Sequence, residues 1–319
     1  MARTRYAPDR GLTVRMTATM FLLGLVFVAF VVVIIGIMDA IGASIGAIVV
    51  IAVLVGGGLA FTSLFYSDKI ALRTAGAREV TPQEAPELHG IVDRLCALAD
   101  MDKPRVAIAP TRLPNAFATG RNSKNSVLCV TQGLLDMLDD AELEGVLAHE
   151  MSHVAHKDVQ VMTYASLLAV IAGLLIRFSF YGELFGGGGR GRGNNNNGNA
   201  ALIFLAMMVV SVVVYAISFL LIRMLSRYRE LAADRSGALL TGQPSALKSA
   251  LTKVSGSMTR IPTQDLRSAE PLNAFFFAPA LNLRAGKTPA NLFSTHPSLE
   301  KRIAELDKIQ RQLGRVSPE

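Results

Sequence analysis

The chain has 319 residues, of which 51% are hydrophobic and only 18% charged, and its formal net charge is +7. This composition is too apolar for an ordinary soluble domain, so it predicts segments within a lipid bilayer. The positive charge does not indicate a nucleic-acid partner, because the basic residues gather beside apolar runs, where they orient a membrane protein. These residues are Arg3, Arg5, Arg10, Arg15, Lys69, Arg73, Arg78, Arg223, Arg227 and Arg229.

Four long apolar runs follow one another along the chain, and each is near the ~20 residues that a helix needs to cross a bilayer. They cover residues 16–38, 43–66, 161–180 and 200–222. Their order predicts two transmembrane hairpins, at 16–66 and 161–222. The arginine-rich tail 1–15 is expected to stay in the cytoplasm.

Two hairpins return the chain to the side on which it started, so the polar segments 67–160 and 223–319 are both predicted to face the cytoplasm. We expect them to form one catalytic domain in two parts. The stretch 182–199 between the last two runs is rich in Gly and Asn. Such low complexity cannot build a core, which predicts a flexible extracytoplasmic loop.

The first polar segment has signals for both helices and strands. Thr81 and Glu84 resemble a capping box, which predicts a helix from there to about Asp100. Short strand-like segments follow at residues 105–109, 116–119 and 126–131, separated by Pro and Gly/Asn turns. The fold class predicted is therefore a mainly α integral-membrane protein with four transmembrane helices and an α+β catalytic domain that contains a small antiparallel sheet.

A strong helix is predicted after the strands, with Asp139 as N-cap and Glu142 at its third position. It contains His149-Glu150-Met151-Ser152-His153, an H-E-x-x-H sequence. Two histidines four residues apart share one helical face, so both imidazoles can reach one zinc ion. Glu150 lies about 100° round the helix, where it can reach a water molecule rather than the metal.

A third ligand is needed to complete a zinc site of this kind. His156 is on the same stripe, but about 10 Å of helical rise separates it from His149, which is too far for one ion. A metzincin sequence would need Gly at position 156 and His at position 159, where this chain has His156 and Val159. His156 is therefore interpreted as a supporting or surface residue.

A second motif supplies a better candidate. Glu230 and Asp234 form an E-x-x-x-D pair on one face of a helix predicted at 223–240. Glu230 can complete a His₂Glu site, and Asp234 can accept a hydrogen bond from His149 and fix its tautomer. The alternative is that Glu230 and Asp234 are two solvated acids on a helix surface and bind no metal. The two apolar runs between His153 and Glu230 return the chain to the same membrane surface, as a shared site requires. Further helices are predicted at 244–254 and 298–313.

Together these motifs resemble the HtpX family of membrane-bound heat-shock metalloproteases and, more distantly, the CAAX prenyl endopeptidases. The matching segments are residues 114–120, 149–153, 229–234, 294–297 and 299–303. The resemblance implies a gluzincin-type endopeptidase with one Zn²⁺ per chain, located in the bacterial inner membrane with its active site facing the cytoplasm. It also implies a part in stress response and in quality control of misfolded membrane proteins.

Carried over by motif, the resemblance makes His149, His153 and Glu230 the metal ligands and Glu150 the catalytic base. Asn115, Ala116, Phe117 and Ala118 would form the edge strand that pairs with an extended polypeptide substrate. Asn115 and His296 would point toward the cleft. We hypothesise that His296 stabilises the oxyanion, the alternative being a helix-capping histidine before Pro297. The run 275–277, three phenylalanines, is interpreted as core rather than as a lipid or substrate contact.

Two other functions are compatible with parts of this pattern. An intramembrane metalloprotease would carry the motif inside a membrane helix, but the helix that contains Glu142, Glu144 and Asp158 is too polar. A non-catalytic scaffold could hold a structural zinc ion, but such a site has no use for Glu150 as a base. Cleavage of casein that requires zinc would distinguish an enzyme from a scaffold.

Overall fold

The computed structural model describes residues 10–40, 45–186, 197–258 and 295–316. Predictions about other residues lie outside this part of the chain. They concern most of the N-terminal tail, the short turn of the first hairpin, the Gly- and Asn-rich stretch and the phenylalanine run. The chain divides into two compact units. One comprises Met1–Arg15, Ser63–Val161 and Ser226–Glu319, and the other comprises Met16–Thr62 and Met162–Leu225.

Four long helices carry the apolar runs: α1 (Arg10–Ala40), α2 (Ile45–Ala75), α6 (Asp158–Gly186) and α7 (Asn197–Thr241). Among the described residues, three helical segments are long and apolar enough to cross a membrane, namely Arg10–Ile37, Asp158–Arg177 and Leu205–Thr241. The predicted second span, residues 43–66, falls on α2 and is not confirmed by this criterion. The fourth run and the predicted helix at 223–240 are one continuous helix, α7.

A four-stranded sheet lies in the first unit. Its strands are β1 (Arg78–Glu79), β2 (Arg105–Ala109), β3 (Ala116–Asn122) and β4 (Asn125–Thr131), in the order β1-β2-β4-β3. The prediction of a purely antiparallel sheet was wrong, because β2 and β4 are parallel. Strand direction alternates along the chain, but β4 inserts between β2 and β3, which places two strands of the same direction side by side.

The other helices of this unit are α3 (Pro86–Ala99), α4 (Gln132–Leu135), α5 (Asp140–Ala155), α8 (Pro244–Met258) and α9 (Leu299–Val316). The helix predicted from Thr81 begins instead at Pro86, because proline is well suited to the first helical turn. The Glu84 carboxylate still accepts the Thr81 N–H at 2.8 Å, but it closes a turn before the helix.

Alternate strand residues bury opposite faces of the sheet, as the two-residue period of a strand requires. Val106, Leu128 and Val130 belong to the main core with apolar residues of α3, α5 and α8, whereas Phe117 and Cys129 pack in a smaller core with Ala71 of α2. The helix that carries the H-E-x-x-H motif therefore lies on a fully packed face.

The start of α5 is fixed by a capping box, which confirms the prediction for Asp139 and Glu142. Asp139 Oδ1 accepts the Glu142 N–H at 2.9 Å, and Glu142 Oε2 accepts the Asp139 N–H at 3.1 Å. The buried Glu142 carboxylate also accepts the Ser249 hydroxyl and the Lys253 ammonium group of α8, both at 2.6 Å. These charge-assisted bonds tie α5 to α8.

Candidate metal centre

Helices α5 and α7 bring three potential metal-binding side chains together. The distance from His149 Nε2 to His153 Nε2 is 3.3 Å, from His153 Nε2 to Glu230 Oε1 3.5 Å, and from His149 Nε2 to Glu230 Oε2 3.8 Å. In a tetrahedron with bonds of about 2.0–2.1 Å, neighbouring ligand atoms are roughly 3.3–3.4 Å apart. The three side chains therefore fit a zinc ion without rearrangement of the backbone.

The rear nitrogens of the two imidazoles show which nitrogens are available to a metal. His149 Nδ1 lies 3.0 Å from Asp234 Oδ1, and His153 Nδ1 lies 2.5 Å from Asp158 Oδ2. A carboxylate can only accept, so each Nδ1 carries the proton and each Nε2 presents a lone pair. Two lone pairs and the Glu230 carboxylate facing one another repel unless a cation lies between them.

Burial also keeps both imidazoles neutral. Desolvation lowers the pKa of His149 to about 4, although the neighbouring Asp234 opposes the shift. Desolvation likewise lowers the pKa of His153 to about 4, with Glu230 acting in the opposite direction. At neutral pH both side chains are in the unprotonated state that metal ligation requires.

Glu150 is buried next to the metal-binding triad. Its Oε2 accepts a hydrogen bond from the Ala118 N–H at 3.2 Å. Desolvation, followed by the nearby charge of Glu230, raises the pKa of Glu150 well above its usual range. A raised pKa means a higher affinity for a proton, which suits a group that takes one from water and then passes it on.

The predicted edge strand lies at the edge of the sheet, because β3 pairs only with β4 among the described strands. Asn115 directly precedes β3, is buried, and its N–H donates to Thr131 Oγ1 at 2.8 Å. Ala116 and Phe117 are buried, and Ala118 is half-buried. The Ala118–Glu150 bond brings this strand beside the candidate metal centre.

His296 is buried in the same cluster, with its Nδ1 2.9 Å from Glu230 Oε2. It therefore contacts the third ligand, and its role toward an oxyanion stays a prediction. The other two histidines are not in the triad. His156 ends α5 as its C-cap. His89 is buried with its Nε2 3.0 Å from the Val80 carbonyl oxygen.

Three residues of this cluster were not predicted from the sequence. Arg302, on α9, is 2% exposed and donates to both oxygens of Asp234, at 2.8 and 2.6 Å. Asp158 accepts from His153, and Arg229 contacts Asp158. An arginine within the apolar pattern of α9 was the one available signal. Asp158 directly follows Lys157, which has a left-handed backbone conformation (φ 57°).

The chain is similar to known proteins over most of its length. Residues 82–310 match peptidase family M48. Protease HtpX homolog 1 of Streptomyces coelicolor is 54% identical over 98% of this chain and 97% of its own length. The Protease HtpX homolog of Moorella thermoacetica is 49% identical over 98% of each chain. The crystal structure of S. mikatae Ste24p superposes with a TM-score of 0.49 and 16% identity, covering 94% of this chain and 67% of that one.

Protease HtpX homolog 2 of Methanosarcina mazei is 48% identical over 98% of this chain and 100% of its own length. The family match covers both histidines of the motif, Glu150 and Glu230. The similarity extends over nearly the full length, including the apolar helices. The chain therefore belongs to peptidase family M48, as a membrane-bound metalloprotease of the HtpX type.

Proposed function

We propose that this protein is a zinc-dependent endopeptidase that hydrolyses peptide bonds of membrane or membrane-proximal proteins. In this proposal His149, His153 and Glu230 hold one Zn²⁺ and Glu150 is the general base. The observation that carries it is the set of three ligand atoms within 4.8 Å of one another, with the Glu150 carboxyl group beside them.

When bound at such a site, Zn²⁺ activates a water molecule and polarises a carbonyl group. Glu150 takes the proton from the attacking water and passes it to the leaving amine. The Ala118 N–H orients this carboxyl group for both transfers. Asp234 holds His149 by its Nδ1 proton, and His296 is the proposed donor toward the developing oxyanion.

The proposed substrate-binding element is Asn115 with Ala116, Phe117 and Ala118 of β3. An extended polypeptide can add to a free sheet edge through main-chain hydrogen bonds, which accept many side-chain sequences. The position of β3 at the edge of the sheet, beside Glu150, supports this role. A main-chain mode of binding would suit an enzyme that acts on misfolded membrane proteins in quality control and stress response.

The proposed location is the inner membrane of a bacterial cell, crossed four times with the site in the cytoplasm. Residues 1–15 would be a cytoplasmic tail, 16–66 and 161–222 the two hairpins, and 67–160 with 223–319 the catalytic domain. The three apolar helices and the basic residues that flank them support this arrangement. In this arrangement α2 would supply the remaining span.

Cleavage of casein by the full chain in detergent tests this function. We expect cleavage that a chelator abolishes and zinc restores. Glu150→Gln should keep zinc but lose at least about 10²-fold in rate, because it removes the proton acceptor. Zinc binding without any cleavage by the wild-type protein would favour a structural scaffold. Unchanged cleavage by Glu150→Gln would contradict the role of Glu150.

A further inference from the structure

A second buried carboxylate supports the candidate metal centre on the His153 side. Asp158, the first residue of α6, places its Oδ2 2.5 Å from His153 Nδ1. Its other oxygen, Oδ1, contacts the guanidinium group of Arg229, whose side chain is only 4% exposed. The three side chains form a continuous chain from imidazole to carboxylate to arginine.

The same arrangement occurs on the other histidine. There His149 Nδ1 contacts Asp234, and Arg302 donates to both oxygens of Asp234. Each imidazole of the H-E-x-x-H motif is thus held from behind by an acid, and each acid by a buried arginine. The two acid–arginine pairs come from different helices. Asp158 of α6 pairs with Arg229 of α7, and Asp234 of α7 pairs with Arg302 of α9.

We propose that Asp158 and Arg229 are positioning residues for the metal site, an inference that rests on the proposed zinc-dependent function. Asp158 fixes the Nδ1–H tautomer of His153 and aims its Nε2 at the metal position. Packing alone restrains this ring less than its neighbour, since the His153 side chain is 16% exposed and that of His149 only 1%. His153 therefore depends more on its acid for orientation.

Arg229 completes the arrangement because it precedes Glu230 on α7. The helical turn that delivers the third ligand also delivers the guanidinium group that holds Asp158. A carboxylate that is paired with an arginine forms a stronger, charge-assisted hydrogen bond with the imidazole N–H than a neutral acceptor would. That bond also makes the imidazole a more basic ligand.

The test compares zinc affinity of the full chain in detergent, measured by competition with a chromogenic chelator. Asp158→Asn should weaken zinc binding roughly 10–100-fold, as loss of an outer partner of a ligand typically does. Because this change leaves Arg229 buried without a carboxylate, the double variant Asp158→Asn/Arg229→Gln is measured too and should be weakened to a similar extent. Asp158→Glu should recover part of the affinity.

Glu144→Gln is the matched control. Glu144 lies on α5, as His153 does, and pairs with an arginine, with its Oε1 2.9 Å from Arg94 Nε, but this pair is not bonded to a ligand imidazole. The Glu144→Gln variant should bind zinc as tightly as the wild type. If zinc affinity in Asp158→Asn and in the double variant stays within about twofold of the wild-type value, Asp158 is only a structural ion-pair partner and the inference is overturned.

A measurement on the wild-type protein removes any dependence on whether the variants fold. After substitution with Co²⁺, proton NMR should show two hyperfine-shifted signals that vanish in D₂O, one for each ligand Nδ1–H. A single signal of this kind would overturn the inference. A wild-type chain that binds zinc and cleaves casein but fails these tests would refute only the role of Asp158 and Arg229. A chain that binds no zinc would refute the proposed function itself.

Discussion

Individual side chains decide whether this cluster can accept a metal without first losing protons. Both motif histidines are desolvated, and each donates its Nδ1 proton to an acid. An exposed histidine has a pKa near 6.5 and would have to release a proton in mildly acidic solution before it could bind a metal. Here burial places the pKa of both near 4, so the neutral form is already present at pH 6.

Proton release on zinc binding at pH 6 measures this property. In a Glu150→Gln/His296→Phe background, which removes the Glu150 carboxyl group and the His296 imidazole from the cluster, we expect His149 and His153 to release almost no protons. Two histidines of ordinary pKa would release about 1.5 protons at this pH. Isothermal titration calorimetry in two buffers of different ionisation enthalpy gives the number of protons released on zinc binding. A release above about one proton would show that the imidazoles are protonated before the metal binds.

The ligand residues could be predicted from sequence, whereas most of their partners could not. His149 and His153, like Glu230 and Asp234, are four residues apart on one helix, and that spacing alone places each pair on one face. Between His153 and its acid Asp158 the chain passes through Lys157, whose left-handed conformation is uncommon for a residue other than glycine. No local pattern encodes that choice.

At the scale of elements, the site depends on how closely α7 approaches α5. Gly237 on α7 faces the backbone of His149, and a Cβ atom added there would lie 2.8 Å from His149 N and 3.1 Å from its Cα. Backbone atoms cannot rotate away as a side chain can. A glycine at this position therefore lets α7 bring Glu230 and Asp234 within reach of His149.

Gly237→Ala tests this dependence. We expect the substitution to push the two helices apart, to destabilise the protein by about 1–3 kcal/mol and to weaken zinc binding roughly tenfold or more. Gly256→Ala in α8 is the control, because its added Cβ would meet nothing within 4 Å. It should leave zinc affinity unchanged and stabilise its helix slightly. Thermal unfolding and chelator competition measure both, and a Gly237→Ala protein with wild-type affinity would contradict the argument.

Element types were predictable here, but their arrangement was less so. The capping box of α5 and the β3–β4 hairpin follow from local residues, such as Asp139 with Glu142. The position of β4 between β2 and β3 depends on its pairing with β2, which is distant in sequence and which no single strand specifies. For that reason the edge position of β3 was foreseen by resemblance, while the mixed character of the sheet was not.

At the scale of the whole molecule, the catalytic unit is built from segments that are distant in sequence. The motif histidines lie on α5, which precedes α6, whereas Glu230 lies in the second half of α7, beyond the apolar run 200–222. Both ligand segments nevertheless belong to one compact unit. A hairpin that leaves this unit and returns to it is what the count of apolar runs predicts, because an even number of crossings preserves the side.

The central claim is that a ligand from beyond this hairpin completes the metal site. Zinc content of detergent-purified protein, measured by elemental analysis after dialysis, tests it most directly when wild type and Glu230→Ala are compared. We expect about one zinc ion per wild-type chain and a large loss in Glu230→Ala, since zinc sites of this class need three protein ligands. A Glu230→Ala protein that keeps one zinc ion per chain with unchanged affinity would show that the metal, if bound, is held elsewhere.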